Sequence, residues 1–394
     1  MINIVDRNKD LAIPPLFRLG FRPFFLLGSA YAVLAIVLWL MMLHSGQPAA
    51  LQVPALWWHV HEMLFGFAFA IVAGFLLTAV QNWTGINGTK QYPLMGLVGL
   101  WLLVRILFWL PLPVWFALLA ELLFLAGCGY EVGRRVIKVK RWNNLIFIGL
   151  FILAAMADIA AFATLQQPLP FSASHVWMAM LWWFTLLLSV MGTRVIPFFT
   201  ARRFQFEKAQ GYVWLDWLAN VPLVLLFVAS FVPSVSAPFE PALMLISGLA
   251  QLVRLMRWKP WKTLAEPLVW SLHLGYACIP LSLILRAVVS DSYFSHNMLH
   301  LFVIGALGGI VLSMIARVTL GHTGRNVYAG PSMAIPLALL LLAAVIRSFG
   351  AALFTQHYML IIDLTGTLWV AAFVMYLFYF APMLMKTRAD GHPG

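Results

Sequence analysis

Apolar stretches of about 20 residues, enough for a helix to cross the hydrocarbon core of a bilayer, recur along the whole chain with only short gaps between them. They fall near 24–42, 62–80, 93–110, 114–133, 143–165, 175–195, 214–232, 241–255, 267–289, 295–316, 334–352 and 358–385. Each is continuously apolar, whereas barrel strands alternate apolar and polar residues in shorter segments. Helices are therefore expected, because a backbone facing lipid has to satisfy its own hydrogen bonds. Only 10% of the 394 residues are charged and 63% are hydrophobic, too little charge to cover a soluble surface of this length. No gap is long enough to hold a soluble domain. The sequence predicts an all-α, polytopic integral membrane protein with about twelve transmembrane helices, forming a single transmembrane domain over 1–394.

A net charge of +12 would suggest a nucleic-acid partner in a soluble protein. Here the basic residues sit in the gaps, so topology accounts for them and no nucleic acid is implied. Cytoplasmic loops are enriched in Lys and Arg. The N-terminal segment, the even-numbered gaps and the C-terminal tail hold 22 of the 25 basic residues, and the odd-numbered gaps hold none. Both ends are therefore expected inside. The charged start Met1–Asp10 followed by Pro14-Pro15 does not read as a removable signal peptide. Cys128 and Cys278 both lie in apolar runs and read as small core residues.

Topology sorts the ten histidines. His44, His59, His61, His175, His296, His300 and His357 fall toward the outer side; His273, His322 and His392 fall toward the inner side. Histidine is amphipathic and favours interfaces, which explains some of this. Spacing points further: His296 and His300 are four residues apart, on one helix face, where two imidazoles could hold a metal. His59 and His61 are about 200° apart on a regular helix and cannot both face one ion. A repeat connects the two regions. A shift of 235 residues matches His61 to His296, Met63 to Met298, Leu64 to Leu299, Phe67 to Phe302 and Gly74 to Gly309, and sets Thr78 against Ser313. With His175 about midway, histidine-headed spans recur every four spans, as three pseudo-repeated four-helix arcs would require.

That arrangement resembles the heme-copper oxidase catalytic subunit, which carries heme and copper ligands on such spans. The seventh span here has no histidine, so the copper centre of that superfamily does not transfer. A second resemblance covers nearly the whole chain. Phe17-Arg18-Leu19-Gly20-Phe21-Arg22-Pro23-Phe24-Phe25, Trp58-His59-Val60-His61-Glu62-Met63 and Gly192-Thr193-Arg194-Val195-Ile196-Pro197-Phe198-Phe199 look like motifs of the NnrS family. So do His296-Asn297-Met298-Leu299-His300 and Ala316-Arg317-Val318-Thr319-Leu320-Gly321-His322-Thr323-Gly324-Arg325. The resemblance implies a bacterial inner-membrane protein with heme, of the b type, and copper, acting in resistance to nitric oxide and nitrosative stress.

On that basis His61 and His296 are the expected heme ligands, with His59, His175 and His300 as ligands to copper or a second heme. Arg105, Arg286 and Arg347 lie inside spans, where a lone guanidinium is costly and needs an anionic partner. Glu121, Asp158 and Asp363 could supply it; so could heme propionates, which arginine binds bidentately. Arg18, Arg22 and Arg194 read as headgroup anchors at the inner boundary. Glu62 is either a proton relay for nitric oxide reduction or a carboxylate that caps a helix start. The rival reading is a secondary transporter with an outer histidine-rich site, although the two six-span halves show no matching repeat.

Overall fold

The computed structural model describes residues 12–236 and 238–392. The charged stretch Met1–Asp10, with Arg7 and Lys9, and the expectation that no leader precedes the first span lie outside the described residues. Twelve apolar helices correspond one to one with the twelve runs. They are α1 Phe21–Ser45, α2 Ala55–Thr84, α3 Gln91–Leu107, α4 Trp115–Lys138, α5 Trp142–Ala163 and α6 Ala173–Phe204, then α7 Val213–Ala229, α8 Glu240–Arg257, α9 Pro267–Val288, α10 Ser292–His322, α11 Ala334–Leu353 and α12 Thr355–Met385. Among the described residues, nine are long and apolar enough to cross a membrane. Helices α3 and α7 are shorter apolar helices, and α8 carries Glu240, Arg254 and Arg257 within its length. The chain is an all-α, multi-pass membrane protein.

Helix ends depart from the sequence reading where polar residues meet apolar ones. The second span is expected to open near 62, but α2 begins seven residues earlier, at Ala55, directly after Pro54. Proline fixes φ for a helix start, so Trp57, Trp58, His59 and His61 belong to the helix body. Likewise α6 runs on past 195 to Phe204, with Pro197 inside it.

The helices group into two compact units. Unit 1 is the described part of Met1–Gln166, Ile315–Pro331 and Phe373–Gly394; unit 2 is Gln167–Met314 and Ser332–Ala372. The chain expected to form a single transmembrane domain thus has an internal division.

Within unit 1, α1 packs on α2 through small residues. A Cβ at Gly74 would lie 2.8 Å from Phe24 Cβ, so the glycine allows close approach. Thr78 Oγ1 accepts the first amide of α1, Phe21 N–H, at 2.9 Å. Unit 2 repeats the pattern with α9 and α10. A Cβ at Gly309 would lie 4.0 Å from Gly275 Cα, and Ser271 Oγ donates to Ser313 Oγ at 2.9 Å. The pairs matched by the 235-residue shift, Gly74 with Gly309 and Thr78 with Ser313, therefore do the same job: each faces the preceding helix.

Three of these helices contain π-helical turns: Glu62–Ala68 in α2, Leu301–Gly308 in α10 and Ile346–Gly350 in α11. In α2 the shift shows as Phe69 N–H bonding Leu64 C=O, five residues back. In α10 Gly309 N–H reaches Ile304 C=O. Such turns are uncommon and cluster at functional positions. The first begins immediately after His61, the second immediately after His300, and the third contains Arg347.

Candidate functional site

Unit 1 gathers six polar side chains from five helices into one buried network. His61 and Glu62 come from α2, Tyr31 from α1, Arg105 from α3, Glu121 from α4 and Asp158 from α5. Glu62, Glu121, Asp158 and His61 are each 0% exposed. His61 Nδ1 lies 2.8 Å from Glu62 Oε1 and Nε2 lies 3.2 Å from Asp158 Oδ1. Arg105 Nη2 donates to Glu121 Oε2 at 2.5 Å and to Glu62 Oε1 at 3.2 Å. Its Nε is 2.8 Å from Glu62 Oε2, close enough for an ion pair but without hydrogen-bond alignment. Tyr31 Oη donates to Glu62 Oε2.

The local backbone makes this possible. The π turn leaves carbonyls without their ordinary partners, and Trp101 Nε1 donates to the Gly66 carbonyl at 2.9 Å. A Cβ on Gly66 would meet Tyr31 Cε1 at 2.8 Å and Glu62 Oε2 at 3.1 Å. Only glycine leaves room for the phenol to reach the carboxylate. Aromatic rings close both faces of His61, with Trp57 stacked at 4.9 Å and Phe65 at 5.0 Å between centroids. Phe108 and Phe162 meet its edge.

The charge inventory follows. Three carboxylates face one guanidinium and one imidazole. Even with His61 doubly protonated, one negative charge is left over unless a carboxyl keeps its proton. Glu121 Oε1 and Asp158 Oδ2 are buried without a hydrogen-bond partner, and a bare buried carboxylate oxygen is costly. The network therefore holds at least one exchangeable proton. Arg105 has found Glu62 and Glu121, the kind of partner that its position inside a span demands.

Unit 2 has the opposite balance. His296 and His300 stand on one face of α10 with ring centroids 6.2 Å apart; His296 is exposed and His300 half-buried. Between them Asn297, buried at 1% exposure, accepts Arg347 Nη1 at 2.6 Å and donates to Tyr293 C=O at 2.9 Å. Arg347 Nη2 donates to Tyr358 Oη at 3.2 Å. Arg286 lies over Trp182, its Cζ 5.0 Å from the ring, with its Nε buried and unpartnered. Neither Arg286 nor Arg347 has an ion pair with a carboxylate among the described residues. Asn297 is the counterpart of Glu62 under the 235-residue shift. In each unit, then, an arginine from the next helix donates to the residue after the histidine.

Residues 15–388 match the profile of the family described as NnrS protein. The chain belongs to the NnrS family. No curated protein matches it. The matched span takes in both histidine-headed helices and every charged residue of the two clusters.

The remaining candidates of this NnrS chain separate. His59 stacks on Trp39 of α1 at 4.3 Å, away from the rings that enclose His61, as their angular separation requires. His175 closes the start of α6: its Nδ1 accepts Ser172 N–H at 3.1 Å. Both nitrogens of His61 face carboxylates, so metal ligation there would require one contact to open. Among the described residues no three His, Cys, Asp or Glu side chains are grouped to hold a metal ion. A heme fits unit 2 better, because it needs one or two imidazoles and brings two carboxylates for cations that lack them. Sequence reasoning missed Tyr31, Trp101, Asn297 and Tyr358. For Asn297 and Tyr358 the available signal was a polar residue beside a span-opening histidine, His296 and His357; Tyr31 and Trp101 had none.

Proposed function

We propose that this NnrS-family protein is a heme-binding protein of the bacterial inner membrane that binds nitric oxide and removes it, with the reactive site on α9–α11 of unit 2. The observation that carries the reading is the pair of cations, Arg286 and Arg347, beside two imidazoles and without carboxylate partners. His296 and His300 would hold the iron through imidazole nitrogen, and the two guanidiniums would take the propionates. A heme held there would supply a metal centre for binding nitric oxide and for electron transfer from a reductant. The ligand is small and apolar, so it partitions into lipid and needs no polar channel. The scheme assigns no residues to copper.

Within unit 1 the buried network is a candidate proton relay. Tyr31 Oη, Glu62, His61 Nδ1, His61 Nε2 and Asp158 form an unbroken hydrogen-bonded line. Imidazole can take a proton on one nitrogen and release one from the other. In this reading Glu62 relays it, with Arg105 holding the carboxylate.

The test is an absorption spectrum of protein purified in detergent after expression with sufficient heme. A Soret band is expected, removed or shifted by His296→Ala or His300→Ala, altered by Arg286→Gln and Arg347→Gln, and unchanged in position by His61→Ala. Absence of any Soret band would sink the reading. The carboxylate-rich network of unit 1 also suits a proton-coupled transporter. That second reading predicts colourless protein and substrate uptake that collapses in Glu62→Gln.

A further inference from the structure

The first and last of the long motifs do not enter either cluster; they meet each other. Phe21 packs its ring on His322, centroids 5.5 Å apart. Arg388 Nη1 donates to His322 C=O at 3.2 Å, and Ala389 N–H donates to Thr323 C=O at 3.0 Å. So the segment before α1, the turn after α10 and the tail after α12 form one corner of unit 1.

Arg18 and Arg22 were expected to anchor in headgroups, but both are buried, at 5% and 0% exposure. Arg18 Nε donates to Ile13 C=O at 2.9 Å. Arg22 Nη1 donates to Leu384 C=O at 3.0 Å and Lys386 C=O at 2.7 Å, and so caps the last carbonyls of α12, where a cation complements the helix dipole. That occupies one corner of the guanidinium. The other edge, Nε with Nη2, is buried and has no partner among the described residues. These two N–H groups point the same way and form the fork that grips two oxygens of one oxyanion. The charged groups that act on Arg22 are Arg18, Arg325 and Arg388, with no acid among them. Asp390, the nearby carboxylate, is taken up bidentately by Arg388 at 2.9 and 2.5 Å. Arg325 and His322 are half-buried and form the more exposed rim of the corner.

We propose that this corner is a phosphate-binding site, with the Nε–Nη2 edge of Arg22 gripping the group bidentately and Arg325 supplying a second positive charge. The group could come from an anionic lipid headgroup or from free phosphate. The experiment is thermal unfolding of the full chain in a phosphate-free, uncharged detergent. One arm adds inorganic phosphate at ionic strength matched with chloride; the other uses vesicles of phosphatidylglycerol against phosphatidylcholine. The expected result is a rise in unfolding temperature in at least one arm, with apparent affinity at least about tenfold weaker in Arg22→Lys and Arg325→Ala. Arg22→Lys keeps the charge and loses the fork. Arg325→Ala removes a half-buried rim residue, so it keeps the test decisive if the first variant folds poorly. A rise with inorganic phosphate makes a free phosphate sufficient; a rise confined to phosphatidylglycerol assigns a lipid. No rise in either arm, or an equal rise in wild type and both variants, overturns the proposal.

Discussion

Replacing Arg105 with methionine removes the one guanidinium that faces Glu62 and Glu121. Both carboxylates are 0% exposed, so neither can recover hydration where it stands. Removing one partner of a buried ion pair costs about 3–5 kcal/mol, because the other charge is left uncompensated. Here two are left, and protonation of one is the available relief. The expected loss is at the upper end of that range, a fall in unfolding temperature of roughly 10 °C or more at about 2–4 °C per kcal/mol. Glu121→Gln removes the 2.5 Å contact but also one excess negative charge, so its own cost is smaller. The double variant should be more stable than the sum of the singles predicts, by about 1–3 kcal/mol. Cys128 and Cys278 are both free and buried, so a dye that fluoresces on reacting with thiols reports unfolding without added labels. Strict additivity of the two singles would refute the network as an energetic unit.

Gly66→Ala should separate Tyr31 from Glu62, since the new Cβ would lie 2.8 Å from the phenol ring; a cost of about 1–3 kcal/mol is expected in the same unfolding assay. Trp101→Phe keeps the ring but loses the N–H that satisfies the Gly66 carbonyl, and should cost about 1–3 kcal/mol for the unsatisfied group. Gly324 has φ +74°, and a Cβ there would lie 2.5 Å from Asp390 Cγ; Gly324→Ala should release the tail, seen as faster amide exchange at Ala389. The Arg388 guanidinium beside Asp390 holds its carboxyl below the ordinary carboxylate range. A depressed pKa gives stability that is present above the unfolded value, near 3.9, and is lost as pH falls through the folded one. Tail protection should therefore persist at neutral pH and through mild acid, and disappear only in strong acid. Arg388→Ala should move that loss to higher pH.

The twelve helices were legible because burial in lipid imposes a run length and an apolar composition that any span must show. Their starts were less so. His61 reads as the edge of a span by its polarity, yet its ring nitrogens are satisfied by Glu62 and Asp158 and its faces by Trp57 and Phe65, so the helix begins at Ala55. The need of Arg105 for an acid, with Glu121 and Asp158 as candidates, was also readable, because few charges exist inside spans to pair. Tyr31 and Trp101 were not readable. Each acts through a contact between separate helices, created by a π turn and a missing Cβ, and neither leaves a periodic trace in sequence. The 235-residue shift was visible in six positions, but only packing showed that Gly74 and Thr78 are repeated as helix contacts.

The π turn in α2 has one more effect. Relative to a regular helix it amounts to one surplus residue, and one residue is worth about 100° of rotation. His61 lies before it and Glu62 is its first residue; Gly74 and Thr78, which grip α1, lie after it. The chemical face and the packing face of the helix are thus phased independently. Deleting Leu64 would keep every side chain of the network, yet turn the acid and imidazole roughly a quarter-circle relative to the face that grips α1. In this helix a change of length would act on chemistry where a change of composition would not.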